Sequence, residues 1–425
     1  MPQYVVQGGH TLSGSIRPAG NKNAALPAVA AALLTSEPVI LENVPRIRDV
    51  ETLLEILSSM GASVEWEEDN TVRIQADQVQ AGRPDPVLAE RIRASILLAG
   101  PLLARFGAVS LPPPGGDVIG RRRLDTHFLA FEGLGASISL TDGFEITAPR
   151  LTGARIFLDE PSVTATENAV MAAVLARGET RLVNSAAEPH VQDLCNLLVA
   201  MGADIQGIGT HTLVIQGVES LHGARFRIGA DHIETGSFIG MASLTRSRIT
   251  ITEPPLEHMD STLLGFRRLG VEMEVQGGDL VVHGDREAVI RSDAFGHVPK
   301  VDDGPWPAFP ADLTSIALVT AVGCRGTVLV HEKMFESRMF FTDKLVGMGA
   351  SIILCDPHRA VVVGPTPLRG AQVESPDIRA GMALLIAALG ATGTSRIFNA
   401  GQIERGYERI DQRLAALGAR IERIP

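Results

Sequence analysis

Charged or polar residues stand at the starts of six apolar stretches that are predicted to be helices. These residues are Lys22 and Asn23, Arg93, Ser162, Glu234, Asp312, and Asp377 with Arg379. The N-terminus of a helix carries a partial positive charge, so the cations Lys22, Arg93 and Arg379 do not stabilise the helices that they begin. Backbone N–H groups at helix N-termini bind anions, and fixed cations strengthen such binding. The pattern indicates a site for an anionic substrate, with pairing to a nearby carboxylate as the alternative for each cation.

The helices that must position these residues are rich in small and apolar residues along their whole length. They run from Lys22, Arg91, Thr164, Ile233, Asp312 and Arg379. A helix that is apolar on every face is buried on every face, so the sequence predicts six buried helices.

A second pattern also occurs six times, with a bulky residue, a glycine, and Ala or Val leading into an alternating strand. The glycines are Gly61, Gly135, Gly202, Gly270, Gly349 and Gly418, at intervals of about 70 residues. Glycine just after the last apolar position ends a helix, because it adopts left-handed backbone angles without steric cost. A returning hairpin completes each repeat. The sequence therefore predicts an α/β (α+β) protein of six βαβαββ-type repeats.

The repeats also predict the domain organisation. The sixth repeat stops at IERIP without its returning strands, whereas the first residues, YVVQGGHTLSGSIRPAG, look like those strands. We therefore expect the N-terminus to complete the sixth repeat. Six repeats exceed what one hydrophobic core holds, so two domains are expected. The first would span residues 22–230 and carry a catalytic loop at 112–126, and the second would combine residues 1–21 with 231–425.

Composition favours a soluble, cytoplasmic enzyme. Of the 425 residues 45% are apolar, but no uninterrupted apolar run is long enough to span a membrane. The opening MPQYVVQGGH lacks the basic and apolar regions of a signal peptide. Cys195, Cys324 and Cys355 are scattered without metal-ligand spacing, which predicts reduced thiols and no metal. The net charge of -11 argues against nucleic acid as a partner.

Eight motifs spread over the whole chain resemble those of a known family. They are GNKNAALP (20–27), RASILLAGPLLARFG (93–107), GGDVIGRRRLDTH (115–127), PSVTATEN (161–168), DHIETGSF (231–238), PAFPADL (307–313), MFESR (334–338) and ERGYERI (404–410). Together they resemble the UDP-N-acetylglucosamine 1-carboxyvinyltransferases, which are enolpyruvyl transferases. The resemblance implies an inside-out α/β barrel of two domains, with three repeats per domain and the active site in the interdomain cleft.

The reaction that the resemblance implies moves the enolpyruvyl group of phosphoenolpyruvate to the 3-hydroxyl of UDP-N-acetylglucosamine and releases phosphate. This is the first committed step of peptidoglycan synthesis, which connects the family to cell-wall biogenesis, cell shape, the cell cycle and cell division. The resemblance implies no metal or organic cofactor and no need for an oligomer.

The resemblance also assigns the phosphoenolpyruvate contacts. Lys22, Arg122 and Arg405 would hold this substrate, with Arg93 nearby. Phosphoenolpyruvate carries a phosphate and a carboxylate, and the planar guanidinium of arginine suits both groups.

Further residues would bind the acceptor. Asp312 would be the general base beside the attacking hydroxyl, and Asn23 would also contact the sugar. Arg338 and Arg379 would add positive charge. The expected nucleotide contacts are Ser162, Val163, Met334 and the stretch 122–126, which includes Arg123, Leu124 and Asp125.

Asp117 lies where most members of the family carry a cysteine. That cysteine is associated with protonation of the methylene carbon of phosphoenolpyruvate and with alkylation by the epoxide fosfomycin. An aspartic acid can donate the same proton if its usual pKa of about 3.9 is raised by the anionic substrate and the exclusion of water. The resemblance therefore implies Asp117 as the catalytic acid, together with fosfomycin resistance. Its loop, PPPGGDVIG, is predicted to be a lid, with a plain surface connection as the alternative.

Two other functions remain open. A 5-enolpyruvylshikimate-3-phosphate synthase, whose acceptor is shikimate 3-phosphate, shares the fold but should have Lys-Ser rather than Lys-Asn at the first helix and should lack ERGYERI. A non-catalytic paralogue that binds a UDP-sugar is favoured if Asp117 cannot act as an acid, although Lys22, Arg122, Asp312 and Arg405 are all present.

Overall fold

The structure is a computed structural model that describes residues 2–79, 83–116, 120, 122–140 and 142–425. No helix within these ranges is both long enough and apolar enough to cross a membrane. The α-helices are α1 (Lys22–Ala31), α2 (Arg48–Ser59), α3 (Pro86–Ala89), α4 (Ala99–Phe106), α5 (Asp125–Gly133), α6 (Val163–Ala173), α7 (Pro189–Ala200), α8 (His232–Leu244), α9 (Asp260–Arg268), α10 (Thr314–Gly323), α11 (Thr342–Gly347), α12 (Ile378–Gly390) and α13 (Ile410–Ala416).

The strands are short and alternate with these helices. They are β1 (Gln3–Gly8), β2 (Ser13–Ile16), β3 (Val39–Glu42), β4 (Ser63–Glu68), β5 (Thr71–Gln75), β6 (Ala108–Leu111), β7 (Ser137–Leu140), β8 (Phe144–Thr147), β9 (Arg155–Phe157), β10 (Glu179–Val183), β11 (Asp204–Gln206), β12 (Thr212–Gln216), β13 (Arg225–Arg227), β14 (Arg248–Ile251), β15 (Met273–Gln276), β16 (Asp279–His283), β17 (Lys300–Asp302), β18 (Gly326–His331), β19 (Ser351–Asp356), β20 (Arg359–Gly364), β21 (Gln372–Glu374), β22 (Gly393–Phe398) and β23 (Arg420–Ile424).

The chain separates into two compact units. The first unit contains residues 20–116 and 122–229, and the second contains residues 2–19, Gly120 and 230–425. Each unit has its own hydrophobic core. The described strands of the first unit form the sheets β13-β3-β5-β4, β6-β8-β7 and β9-β10-β12-β11. Those of the second unit form the sheets β2-β14-β16-β15, β17-β18-β20-β19 and β21-β22-β1-β23. There is thus one small sheet for each repeat, and the predicted α/β fold is confirmed.

The six predicted buried helices are also confirmed. Nearly every residue of α1, α6, α8, α10 and α12 is buried. The helix predicted from Arg91 is formed by a 3-10 helix, Arg93–Leu98, which continues directly into α4. In the second unit α8, α10 and α12 pack against one another, and in the first unit α4 packs against α6. These central helices fix the positions of the polar residues at their N-terminal ends.

The repeated glycines end helices as expected. All six have positive φ values, from 88° at Gly270 to 107° at Gly349. After α2, the N–H of Ala62 donates to the carbonyl of Leu57 while Gly61 has a φ of 101°. This left-handed residue lets the chain reverse into β4 without a side-chain clash.

Strands near the N-terminus divide between two sheets of the second unit. β1 lies between β22 and β23 in the sheet of the sixth repeat and is antiparallel to both. β2 differs from the expectation, because it pairs in parallel with β14 in the sheet of the fourth repeat. In the first unit β13, which follows the third repeat in the chain, pairs in parallel with β3 of the first repeat. In both units the strand that completes a sheet comes from a distant part of the chain.

Candidate active site

Lys22 begins α1 in the first unit and is buried together with Asp49. The side chain of Asn21 caps the helix by accepting hydrogen bonds from the N–H groups of Asn23, at 2.8 Å, and Ala24, at 3.3 Å. Lys22 Nζ lies 3.3 Å from Asp49 Oδ2, and the side chains are 11% and 7% exposed. An ammonium has three N–H donors, so pairing with one carboxylate leaves donors for a ligand. Lys22 can therefore pair with Asp49 and still bind an anionic substrate.

Arg93 and Arg122 bring two positive charges together in the same unit. Arg93 Nη2 donates to the backbone carbonyl of Arg122 at 3.0 Å. Burial, with a further contribution from the charge of Arg122, lowers the pKa of Arg93 to about 10. Arg93 therefore stays positively charged at neutral pH although its surroundings disfavour that charge. An anion beside these two arginines would relieve their repulsion.

The stretch that was expected to contact the nucleotide is held by acidic side chains. Arg123 Nε lies 3.1 Å from Asp125 Oδ2, and Arg123 Nη2 lies 3.1 Å from Asp159 Oδ2. Asp125 is the first residue of α5 and Leu124 is its N-cap residue. Asp159 also accepts a hydrogen bond from Thr126 Oγ1 at 2.7 Å. These bonds connect the start of α5 to the segment that precedes α6.

The start of α6 contains the other first-unit candidates for nucleotide contact. Ser162 is its N-cap residue and Val163 its first residue, and both are partly exposed. The carbonyl of Ser162 accepts hydrogen bonds from the backbone N–H and the side chain of Thr166. The backbone at this helix start is therefore fixed by the helix itself.

A buried histidine and asparagine position these elements, and sequence reasoning missed both roles. Asn168 Oδ1 accepts a hydrogen bond from the N–H of Gly100 at 2.7 Å, and Asn168 Nδ2 lies 3.0 Å from His127 Nδ1. His127 Nε2 lies 3.0 Å from Thr164 Oγ1. Burial, and then the charge of Arg93, lower the pKa of His127 to about 3. His127 is therefore neutral, and the network joins α4, α5 and α6. The sequence signal for this network was the set of polar residues in the stretch TATEN (164–168), which begins a helix predicted to be buried.

Asp312 in the second unit is held by two buried arginines. Asp312 Oδ1 lies 3.0 Å from Arg338 Nη2, and Oδ2 lies 3.0 Å from Arg379 Nη2. The Asp312 side chain is 28% exposed, whereas those of Arg338 and Arg379 are 3% and 5% exposed. The arginines thus orient the carboxylate from the protein side while part of it faces solvent. Such a carboxylate can accept a proton from a bound hydroxyl.

Arg379 is the second residue of α12, and the side chain of the N-cap residue Asp377 accepts hydrogen bonds from the N–H groups of Arg379 and Ala380. The Arg379 guanidinium lies 5.4 Å from the centre of the Tyr407 ring. Burial lowers the pKa of Arg379, but Asp312, Tyr407 and Asp231 more than offset this effect and raise it above the usual value. Arg379 is therefore a permanent cation beside Asp312.

The remaining candidates of the second unit have local contacts. Arg405 Nη1 donates to Gln402 Oε1 at 2.8 Å within the 3-10 helix Ala400–Arg405. The side chain of Met334 is exposed, and its N–H donates to Glu332 Oε1 at 3.3 Å. Asp117, the expected catalytic acid, lies outside the described residues.

Glu234, another polar residue at a helix start, has a structural partner. Its carboxylate accepts hydrogen bonds from Arg413 Nη1 at 2.6 Å and from the N–H of Ala19 at 2.6 Å. It therefore connects α8 to α13 and to the N-terminal segment.

Comparisons with known proteins agree with this fold. The family model of EPSP synthase (3-phosphoshikimate 1-carboxyvinyltransferase) matches residues 6–414. The crystal structure of the enolpyruvyl transferase NikO from Streptomyces tendae is similar, with a TM-score of 0.88 and 26% identity over 100% of this chain and 99% of that one. An EPSP synthase from Acinetobacter baumannii has the same fold, with a TM-score of 0.76 and 18% identity over the full length of both chains. These matches define the class as the enolpyruvyl transferases.

Curated relatives are more specific. A UDP-N-acetylglucosamine 1-carboxyvinyltransferase of Bradyrhizobium diazoefficiens is 63% identical over 100% of this chain and 98% of its own length. One from Treponema denticola is 53% identical over 99% of both chains. The chain belongs to the UDP-N-acetylglucosamine 1-carboxyvinyltransferase family, which confirms the resemblance of its motifs.

Proposed function

We propose that the protein transfers the enolpyruvyl group of phosphoenolpyruvate to the 3-hydroxyl of UDP-N-acetylglucosamine and releases phosphate. The observation that carries this proposal is the 63% identity, over the full chain, to a relative with that name. The reaction would be the first committed step of peptidoglycan synthesis. It would take place in the cytoplasm and serve cell-wall biogenesis, cell shape, the cell cycle and cell division.

The phosphoenolpyruvate contacts are proposed to be Lys22, Arg93, Arg122 and Arg405. The adjacent charges of Arg93 and Arg122 support this assignment, because an anion would relieve their repulsion. Lys22 has donors left beyond its bond to Asp49. As phosphate departs, fixed cations stabilise the charge that develops on it without having to reorganise.

The acceptor contacts are proposed to be Asn23, Asp312 and the nucleotide-binding residues at the starts of α5 and α6. Asp312 is the proposed base, and Arg338 and Arg379 orient its carboxylate. The nucleotide contacts would come from Arg123, Leu124, Asp125, Ser162, Val163 and Met334.

The proposed mechanism is addition followed by elimination. Asp312 accepts the proton of the 3-hydroxyl, the sugar oxygen attacks carbon 2 of phosphoenolpyruvate, and an acid, proposed to be Asp117, protonates carbon 3. The product of this step is a tetrahedral phosphate ketal. In the second step carbon 3 returns a proton to the conjugate base of that acid, the double bond forms again, and phosphate leaves with the proton that Asp312 had accepted. The net change is exchange of the phosphate group for the sugar oxygen.

A phosphate-release assay tests the function directly. Purified protein and phosphoenolpyruvate would be mixed with UDP-N-acetylglucosamine, with shikimate 3-phosphate, or with no acceptor. We expect phosphate release only with the UDP-sugar. Release with shikimate 3-phosphate instead would assign the protein to the other acceptor class. Binding of the UDP-sugar without release would indicate a non-catalytic paralogue.

Fosfomycin provides a separate prediction for Asp117. We expect turnover by the native enzyme to resist fosfomycin, and Asp117→Cys to lose activity progressively during incubation with it. A thiol with its usual pKa of about 8.5 supplies some thiolate at neutral pH, and thiolate is the nucleophile that opens the epoxide. Asp117→Ser is the matched control and should stay insensitive. Mass spectrometry that finds fosfomycin on the native protein would disprove the account.

A further inference from the structure

Two buried acidic residues lie side by side at the ends of neighbouring strands in the second unit. β17 and β18 are parallel, and Asp302 at the end of β17 pairs with His331 at the end of β18. Asp303 and Glu332 are the residues that directly follow these two strand ends. Asp303 is 1% exposed and Glu332 is 0% exposed. The register of the sheet therefore places two carboxyl groups together in the protein interior.

Each carboxyl group has one oxygen with donors and one without. Glu332 Oε1 accepts hydrogen bonds from the N–H groups of Met334, at 3.3 Å, and Phe335, at 3.2 Å. Asp303 Oδ1 accepts one from the N–H of Lys333 at 2.5 Å. Glu332 Oε2 and Asp303 Oδ2 are buried and accept no hydrogen bond of ordinary length from the described residues, although Arg338 Nε lies 3.6 Å from Glu332 Oε2. The side chains of Asp303 and Glu332 are within hydrogen-bonding reach of each other. A proton shared between the two carboxyl groups would provide a hydrogen bond that the described donors do not supply.

Electrostatics favours the same arrangement. Burial raises the pKa of Glu332 to about 9, the charge of Arg338 opposes this rise, and the hydrogen bond and charge of Asp303 add to it. Two buried carboxyl groups in contact retain one proton well above their usual pKa, because both cannot ionise. Other polar or charged groups also surround the pair. Thr314 at the start of α10 lowers the pKa of Glu332, and His331 interacts electrostatically with Asp303. The ring Nδ1 of His358 lies 2.8 Å from the Glu332 carbonyl, and the ammonium of Lys333 pairs with Asp302.

Arg338 connects this pair to the candidate base. Its Nε lies 3.6 Å from Glu332 Oε2, and its Nη2 lies 3.0 Å from Asp312 Oδ1. The Arg338 side chain is 3% exposed, so its position depends on these carboxylates and on the ring of Phe335, whose centre lies 4.8 Å from the guanidinium carbon. A second negative charge on the pair would draw the guanidinium toward Glu332 and away from Asp312.

We propose that Asp303 and Glu332 hold a single proton between them and thereby position Arg338 against Asp312. Both are positioning residues for the enolpyruvyl transfer, and this role rests on the proposed function of Asp312 as the base. The pair with its proton carries one negative charge, which holds Arg338 without competing for it. Loss of the proton at alkaline pH would weaken the orientation of Asp312 and slow turnover.

The test uses two variants that replace the shared proton with a permanent amide donor, Glu332→Gln and Asp303→Asn. We expect both to keep kcat within about threefold of the native value at neutral pH, because each amide makes the bond that the proton makes. In the native enzyme kcat should fall as pH rises past about 9. In both variants this fall should move up by about one pH unit or more.

Infrared spectroscopy supplies a readout that does not depend on turnover. The carbonyl stretching band of protonated carboxyl groups should be present in the native protein at neutral pH. In each variant its intensity should drop by the contribution of one carboxyl group. Glu234→Gln is the matched control, because Glu234 is also buried but is paired with Arg413, and its replacement should leave this band unchanged.

The possible outcomes distinguish failure of the shared proton from failure of the proposed enzyme function. An infrared band that is unchanged in Glu332→Gln or Asp303→Asn would overturn the shared proton. If the variants lose the infrared band but their kcat–pH profiles superimpose on the native profile, the positioning role would be overturned. A native protein that releases no phosphate would reject the proposed function and with it the positioning role, while the infrared comparison would still decide the proton.

Discussion

Replacing Lys22 with alanine should lower kcat by about 100- to 1,000-fold in the phosphate-release assay. Loss of one fixed group that stabilises developing charge typically has an effect of this size. Lys22 is positioned by the capped first turn of α1 and by Asp49, so its ammonium needs little reorganisation when phosphate departs. A variant that keeps a near-native kcat would remove Lys22 from the mechanism.

The same substitution should also lower stability, and a second substitution, Asp49→Asn, separates this effect from the effect on kcat. Removing Lys22 deprives the buried Asp49 carboxylate of its ammonium partner, which should lower the free energy of unfolding by about 3 kcal/mol. Adding Asp49→Asn removes the buried charge and should restore part of that loss. It should not restore kcat. Denaturant titration and steady-state kinetics on the single and double variants check both statements, and recovery of kcat in the double variant would show that Lys22 acts only through stability.

Replacing Asp312 with asparagine should lower kcat by about 100- to 10,000-fold, the usual contribution of a positioned general base. The amide is nearly isosteric and keeps an oxygen for Arg338 or Arg379, but it cannot accept the hydroxyl proton. Affinity for UDP-N-acetylglucosamine, measured by calorimetry, should change far less than kcat. A variant with an unchanged kcat would show that another group accepts the proton.

Glu234→Gln serves as the control for Asp312→Asn. Both substitutions remove a carboxylate from an arginine partner, and both should destabilise the second unit. Only Asp312→Asn should lose turnover, because Glu234 contacts Arg413 and Ala19 and has no proposed role in the reaction. Equal losses of kcat in the two variants would attribute the effect to stability alone.

The periodic parts of the fold could be predicted from the sequence. The six glycines and the six apolar helices are local patterns, and a positive φ at Gly61 or a buried α12 follows directly from residue type and spacing. The pattern of polar residues at helix starts also predicted Arg379 and Asp312 as site residues, and these two are in direct contact. It could not tell that Glu234 is structural, because Arg413 lies far along the chain.

Contacts between residues far apart in the chain could not be predicted from the sequence. The bond between Asn168 and Gly100 joins two repeats, and no periodicity relates these positions. Asp303 and Glu332 come together only through the parallel register of β17 and β18. The sheet that β2 joins could not be predicted either, because its pairing with β14 is a contact between distant parts of the chain. Local composition predicts elements, but partner choice depends on how the whole chain packs.

The position of β1 has a consequence for the order in which the protein folds during synthesis. Domains generally form as units while the ribosome is still extending the chain. The first unit has its last strand once β13 has emerged, and β13 can then pair with β3. β1 must wait for β22 and β23, because it separates these strands in their sheet. β1 is therefore synthesised long before it can be placed, and until then both of its edges are unpaired and open to misassociation.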